Sequence, residues 1–393
     1  MNLYVLKFGG SSVATTSRIK HASQIVSKLI LEGNRVVVVT SAMQGVTNQL
    51  IDFTKNFQDC SMDREYDSVI SSGEQVAAGL FAMCLNSMGY KAVSMAAWQI
   101  PIKTDGVFSN AYISSVGKST LMDSIDNGII PVIAGFQGIS ENAEIMTIGR
   151  GGSDATACAI AYAIGADECF IYTDVDGIYT ADPRIVLDAR RLEEVSYEEM
   201  LELASHGAKV LQSKSVLIAK QCNVKLRVLS SFSEGGETKV TNQTVYMPDG
   251  KRITGIAHNP NMAKITISAE DTNTTDLLNI IHQNKMQIDL VSCIGFENKR
   301  LAFLAPKASL SHLKTILENI VGISFEVDND IGVVTVVGSG IKTDQSVLPE
   351  IISVINNNSV KIKQIEVSEL SVSIVVPLQQ LEHIVNILHK ALF

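Results

Sequence analysis

The stretch LYVLKFGGSS, residues 3–12, governs the reading of the whole chain. An apolar run from Leu3 to Leu6 meets Lys7, then two glycines and two serines, and a polar segment able to start a helix follows. That is the layout of a loop cradling an anionic group at a helix N-terminus, where free backbone N–H groups point outward. Its lysine precedes the glycines, the reverse of a Walker A loop, which ends in Gly-Lys-Ser/Thr. On KFGG alone, a glycine turn beside a snorkelling lysine explains the residues equally well.

Working outward, the chain up to about residue 230 alternates strand and helix signals. Strands are expected at Leu3–Lys7, Arg35–Thr40, Lys91–Ser94, Ile130–Ala134, Cys169–Thr173 and Lys225–Ser230, with helical patterns such as Ser71–Gly89 and Asp154–Gly165 between them. VVVV and PVIAGF are continuous apolar runs, as expected of strands covered on both faces. The fold class is therefore α/β, a mostly parallel sheet sandwiched by helices. Ligands of such sheets bind beyond the carboxyl ends of the strands.

From residue 231 the grammar changes. SSFSEGGETKVTNQ is polar and glycine-bearing and reads as a linker or surface loop. Beyond it AKITIS, a helix over 274–285, QIDLVSCIG, KRLAFLAP, a helix over 309–319 and ISFEVDN give βαββαβ. VVTVVGSG, a helix to about Asn357, KIKQIEVS, SVSIVVP and a final helix repeat that pattern without its last strand. The spare strand RITGIAH, Arg252–His258, is expected to complete the second copy. The domains are then 1–235, an inserted unit 263–330, and a second unit of 250–262 plus 331–393. Such half-open sheets have edges to cover, by each other or by another subunit.

Composition narrows the function. The 32 basic against 41 acidic residues, net −9, include no basic run, so nucleic acid is not an expected partner. Six cysteines (Cys60, Cys84, Cys158, Cys169, Cys222, Cys293) form no CxxC pair and read as thiols of a reducing compartment. The seven histidines give no metal-ligand spacing, so no protein metal site is expected. No signal-peptide pattern or apolar run of ~18 residues is present, and the expectation is a cytoplasmic protein without a membrane partner.

Four polar clusters fall at expected strand ends: Lys7–Ser12, Ser41–Thr47, Thr147–Asp154 and Thr173–Gly177. Gly9 and Gly10 admit a phosphate close to the backbone, and Lys7 supplies a point charge. Gly151 and Gly152 permit a nest of N–H groups, with Ser153 or Asp154 able to cap the helix that follows. Capping leaves Arg150 unexplained; its fork suits a carboxylate. Ser71 and Glu74 form a capping-box pattern, although Glu74 could equally hold a substrate ammonium. An EF-hand loop starting at Asp174 fails, because its twelfth position is Ile185. Neither a nucleophile elbow nor a Ser-His-Asp order stands out. The chemistry needs charge and positioning more than a general base, which suits phosphoryl transfer to an already ionised carboxylate.

KFGGSSVA, VVVVTSAMQGVTNQL, SSGEQVAAGL, AGFQGIS, TIGRGGSDATA and IYTDVDGIYTADPRIV, in this order, resemble the aspartokinases of the amino acid kinase family. The resemblance spans essentially the whole chain and implies the amino acid kinase fold followed by two ferredoxin-like βαββαβ ACT units. It implies ATP-dependent phosphorylation of the β-carboxylate of L-aspartate to 4-phospho-L-aspartate, with Mg2+, at the start of lysine, threonine, methionine and diaminopimelate biosynthesis. Lys7 and Asp154 are then catalytic. Lys7, Phe8, Gly9, Gly10 and Ser11 would hold the phosphates, with Thr173, Asp174, Tyr179, Arg184 and Lys209 on the nucleotide side. Ser41, Thr47, Glu74, Arg150, Gly151, Gly152 and Ser153 would hold aspartate.

The resemblance further implies a homodimer through the ACT units and an amino-acid effector, lysine and/or threonine. Its docking residues would be Gln287, Ile288, Asp289, Lys361, Ile362 and Glu369. Here the chain departs from the family pattern. The helix starts read DTNTTD and KTDQSV without the usual Pro-Gly, and Gln287 and Lys361 stand where asparagine is common. The alternative function is an amino-acid-binding regulatory protein with an inactive kinase domain; intact Lys7, Glu74, Arg150 and Asp154 argue against it.

Overall fold

The computed structural model describes residues 1–57, 64–242, 253–269, 274–284, 286, 288–294, 300–341 and 344–393. The chain divides into two compact units. The first comprises Met1–Tyr179, Arg191–Ser205 and Lys209–Val245; the second takes Thr180–Arg190, His206–Ala208 and Tyr246–Phe393. The division therefore does not follow one boundary near residue 235.

The first unit holds strands β1 (Leu3–Phe8), β2 (Arg35–Thr40), β3 (Ala92–Met95), β4 (Ile102–Thr104), β5 (Ile113–Val116), β6 (Ile130–Ala134), β7 (Gln137–Ile139), β8 (Ile145–Thr147), β9 (Glu168–Thr173), β10 (Glu194–Ser196), β11 (Leu226–Ser230) and β12 (Glu237–Thr241). Its helices are α1 (Thr16–Leu31), α2 (Val46–Thr54), α3 (Arg64–Ile70), α4 (Ser72–Ser87), α5 (Ser119–Asp126), α6 (Gly152–Ile164), α7 (Tyr197–Ser205) and α8 (Ser213–Cys222). Eight strands form one sheet in the order β10-β12-β11-β9-β1-β2-β6-β3, parallel except for the β11–β12 pair.

Val36–Val39 of β2 are all buried, as a β-branched run with both faces covered requires. Each such valine contributes about 1.5–3 kcal/mol of burial. The apolar helix α6 is buried nearly all round, with Tyr162 as its exposed exception. Helices α3 and α4 together, Arg64–Ser87, are apolar and long enough to cross a membrane by composition, yet half of that window is buried in the protein.

Two parts of this unit differ from the sequence reading. The segment expected to be a linker contains β12, which pairs antiparallel with β11 across the Gly235-Gly236 turn. A second sheet, β5-β4-β7-β8, is built from strands of three or four residues, too short to show a period.

The second unit stacks two antiparallel four-stranded sheets. Its strands are β13 (Gly255–Asn259), β14 (Met262–Ala269), β15 (Asp289–Ile294), β16 (Arg300–Pro306), β17 (Ile323–Asp328), β18 (Ile331–Val337), β19 (Gln364–Val367) and β20 (Ser371–Pro377). Its helices are α9 (Thr274–Gln283), α10 (Leu310–Glu318), α11 (Val347–Asn357) and α12 (Leu381–Leu392). The orders are β15-β16-β14-β17 and β13-β18-β20-β19, so the strand upstream of the first sheet pairs in the second.

Alternation along β18 explains the packing. Val334 and Val336 join the core beneath α11 and α12, whereas Ile331 and Val333 meet Met262, Leu290 and Leu304 of the other sheet. Thr335, fully buried, shares a 2.9 Å hydrogen bond with Ser373 on β20. The segment 180–190 belongs to this core as well. Ala181 and Val186 are buried in it, and Thr180 Oγ1 lies 2.8 Å from His389 Nε2 of α12.

Candidate active site

Strands β1, β2 and β9 end in register, Phe8 opposite Thr40 and Tyr172, so the loops that leave them share one edge. The expected clusters at 7–12, 41–47 and 147–154 line a cleft of about 680 Å³ there, with Thr173 from the fourth. Lys7, one residue before the end of β1, is 8% exposed, and its Nζ lies 2.6 Å from Asp154 Oδ1 on α6. The contact is an ion pair without hydrogen-bond alignment. The lysine thus sits on the strand because the sheet is where a buried, fixed charge can be held. The glycines after it form the turn, and Gly9 O accepts from Ser12 N and Val13 N.

Helix α6 begins at Gly152 with Gly151 as its N-cap in left-handed conformation, and no side chain caps it. Ser153 and Asp154 are therefore not caps, as the sequence allowed; both are buried and line the cleft. A side chain at Gly151 would be doubly excluded, by φ of +71° and by collision with Gln212 Cβ. Arg150, just before, is exposed on the cleft and pairs with no described residue.

The capping box does not form either. Ser71 Oγ donates to Ser68 O, and no side chain caps α4. Helix α4 instead presses its start against the loop after β2, where a Cβ at Gly73 would come within 2.9 Å of Ala42 Cβ. Glu74 Oε1 accepts from Ala42 N at 3.1 Å, while Oε2 is buried with no partner. Burial pushes the Glu74 carboxyl up to about 7, with the Ala42 hydrogen bond opposing it. Glu74 is thus a buried acid on the cleft wall with one oxygen satisfied and one unmet among the described residues.

The other expected site residues distribute unevenly. Ser41, Thr47, Gly9, Gly10, Ser11 and Lys209 line the cleft, whereas the Phe8 side chain is fully buried, stacked on Tyr172 and tilted on Phe81. Phe8 therefore reaches a ligand through its backbone at most. Thr173 Oγ1 donates to Asp174 Oδ1, and the Tyr179 hydroxyl donates to Asp176, which also pairs with Arg191. Asp174 and Tyr179 are outside the cleft lining. Arg184 belongs to the second unit, three-quarters exposed, with two hydrogen bonds to the Asp182 carboxylate.

Tyr66, Ser109, Phe136 and Gln212 also line the cleft. Phe136 lies in the AGFQGIS stretch without a role read from it, and Ser109 and Phe136 hold left-handed backbone that sequence does not announce for non-glycine residues.

Of the expected effector residues, Gln287 lies outside the described residues, as do 271–273 and 342–343 of the helix starts. Lys361 and Glu369 are exposed, Ile288 and Ile362 half-buried, and Asp289 begins β15. The two stretches adjoin: Gln364 donates to Leu290 O and Ser292 Oγ, and Lys363 pairs with Asp328 at 2.6 Å.

Residues 2–230 match the amino acid kinase family, and residues 334–392 match an ACT domain. The aspartate kinase of Pseudomonas putida is 40% identical over the whole of this chain and 97% of its own length; the aspartokinase of Bacillus sp. strain MGA3 is 38% identical with the same coverage. In fold, the chain superposes on Escherichia coli aspartokinase III solved with aspartate and ADP (R-state), TM-score 0.85, at 24% identity and complete coverage of both chains. The same enzyme with lysine and aspartate (T-state) gives 0.78, covering all of this chain and 99% of that one.

Proposed function

The chain belongs to the amino acid kinase family as one of its aspartokinases, and from that premise we propose how its residues divide the reaction. It is an aspartate kinase, using ATP as the phosphoryl donor. The acceptor is the β-carboxylate and the product 4-phospho-L-aspartate. That carboxylate, of ordinary pKa near 4, is already ionised at neutral pH and needs no base. Catalysis is then positioning and charge stabilisation.

Glu74 takes the substrate ammonium on its unpartnered Oε2, and the approaching cation draws the acid into its charged form. Arg150 pairs with the α-carboxylate, which leaves the β-carboxylate to attack in line. Ser41, Thr47 and Gly151–Ser153 surround the same group. Gly9, Gly10 and Ser11 cradle phosphate oxygens, joined by the uncapped N–H groups of α6. Lys7 meets the charge spreading over the transferred phosphoryl group, and Asp154 keeps its ammonium aimed. Thr173, Asp174, Tyr179 and Lys209 serve the nucleotide side.

No cluster of three or more His, Cys, Asp or Glu suited to a cation exists among the described residues. The donor set fits Mg2+ carried chiefly by the ATP oxygens, with Asp154 the carboxylate beside them; when bound it neutralises phosphate charge. The second unit is the seat of an effector, lysine and/or threonine, around Ile288, Asp289, Lys361, Ile362 and Glu369; that the E. coli enzyme of the same fold was solved with lysine supports an amino-acid effector. Pairing of its sheet edges makes a homodimer. The reaction belongs in the cytoplasm, where ATP is supplied, at the start of lysine, threonine, methionine and diaminopimelate biosynthesis.

The observation that carries the reading is the pair Glu74 and Arg150, a half-satisfied buried acid and a cation without an ion-pair partner among the described residues, both lining the cleft of Lys7. Trapping acyl phosphate with hydroxylamine over L-aspartate, L-glutamate and N-acetylglutamate, with and without lysine and threonine, tests it. Hydroxamate with aspartate alone is expected. Hydroxamate with another acid only, or ATP binding without any product, would overturn it.

A further inference from the structure

Seven residues before Glu74 lies a second buried acid that the proposed reaction does not use. Asp67 of α3 is fully buried and meets four donors from two residues. Its Oδ2 accepts from Ser109 N at 2.9 Å and Thr147 N at 2.7 Å; its Oδ1 accepts from Ser109 Oγ at 3.0 Å and Thr147 Oγ1 at 2.8 Å. Both donors line the cleft, although Asp67 itself does not.

These two residues are the footing of the Arg150 loop. Thr147 ends β8 and leads through Ile148 and Gly149 into Arg150, and its carbonyl accepts from Ala111 N at 3.0 Å. Ser109, at φ +62°, turns its carbonyl and the Asn110 side chain onto Gly149, where a Cβ would meet them at 3.2 and 3.0 Å. A serine holds that backbone only when its surroundings fix it. Lys214 of α8 grips the same footing, donating to Asn110 Oδ1 and Ile148 O at 2.7 Å each. Without the carboxylate, two buried N–H groups lose their acceptor and the footing loses its only acidic anchor among the described bonds.

We propose that Asp67 is the positioning residue of the aspartate subsite, holding the Arg150 loop through Ser109 and Thr147. The inference rests on Arg150 receiving the α-carboxylate. It predicts a split in the kinetics that general loosening of the fold would not produce.

In the full-length enzyme, Asp67→Ala raises the KM for aspartate about tenfold or more, the scale of lost charged hydrogen bonds, with the KM for ATP within about twofold. Asp67→Asn restores aspartate affinity, because its amide oxygen takes the two N–H donors and its NH2 meets hydroxyls that rotate to accept. Asp67→Ala and Arg150→Ala combine non-additively, since both remove the same contact.

Equal rises in both KM values, or additivity in the double variant, overturn the proposal. If Asp67→Ala does not fold, Thr147→Val decides: it removes one donor to Asp67, and an unchanged KM for aspartate overturns the proposal just as directly. Arg150→Ala alone separates the premise, because an unaltered aspartate KM there rejects the Arg150 assignment whatever Asp67 does.

Discussion

The two units bury polar groups to opposite ends. In the first, Lys7, Asp67, Glu74, Asp154 and Glu199 are buried side chains of the charged type. In the second, the described buried polar residues are neutral in kind apart from His389: Thr180, Thr335, Ser371 and Ser373. Thr335, Ser373, Thr180 and His389 satisfy one another in pairs, while Glu74 keeps one oxygen unmet and Lys7 touches Asp154 off hydrogen-bond alignment. The difference is that of a core, where polar groups are matched to stabilise, and a site, where they are left for a ligand to complete.

Removing the charge the cleft is built around sharpens the contrast most. Lys7→Ala is expected to lower kcat about 10³-fold, the scale of a lost transition-state donor, while ATP still binds. Turnover near normal in single-turnover assays would reject its role. The counterpart in the second unit is Ile374→Ala, which opens a cavity beneath α11 and α12. It should cost about 2–5 kcal/mol of that unit's stability in denaturant melts, with kcat for saturating aspartate little changed. Loss of kcat in a variant that still melts cooperatively would erase the division of labour.

Glu74 tests whether the cleft trades stability for binding. Its folded-state carboxyl is raised to about 7, above the ordinary 4.5, so the native state holds the proton more tightly than the unfolded chain. Stability from this group is complete below about 4.5 and lost as pH rises through about 7, on the order of 3 kcal/mol. Glu74→Gln, which keeps the bond from Ala42 N, should therefore melt a few degrees higher at pH 8 while losing most affinity for aspartate. In the wild type, the affinity should fall about tenfold between pH 8 and pH 6 as the anion is protonated. A flat profile, or a less stable Glu74→Gln, would reject the ammonium-binding role given to Glu74. The smallest effect is expected from Thr180→Val, which leaves His389 without its partner at about 1 kcal/mol in the same melts.

The long central strands and α6 were legible because continuous β-branched or apolar runs bounded by glycines admit few alternatives. What escaped was short or nonlocal. Three-residue strands such as β7 and β8 carry no period, and β12, paired on both sides by β10 and β11, hid in a polar stretch because only its alternate residues Thr238 and Val240 are buried and one of them is a threonine. The segment 180–190 reads as part of the first unit by position, yet Ala181 and Val186 are buried with α11 and α12.

By itself the sequence determined the strand–loop order that brings the loops after β1, β2 and β9 to one sheet edge, since parallel pairing sends successive loops to the same end, whereas Arg150 and Asp154 reach that edge from β8 of the small second sheet. It could not determine the use of an acid. Ser71 and Glu74 at capping-box spacing form no box, because α4 docks on the Ala42 loop and takes the carboxylate with it. Asp67, an unremarkable helix residue by its neighbours, is buried under four donors that arrive from 42 and 80 residues away. Spacing sets which side chains share a face; which of them meet a partner depends on chains that approach from elsewhere, and only the folded structure decides that.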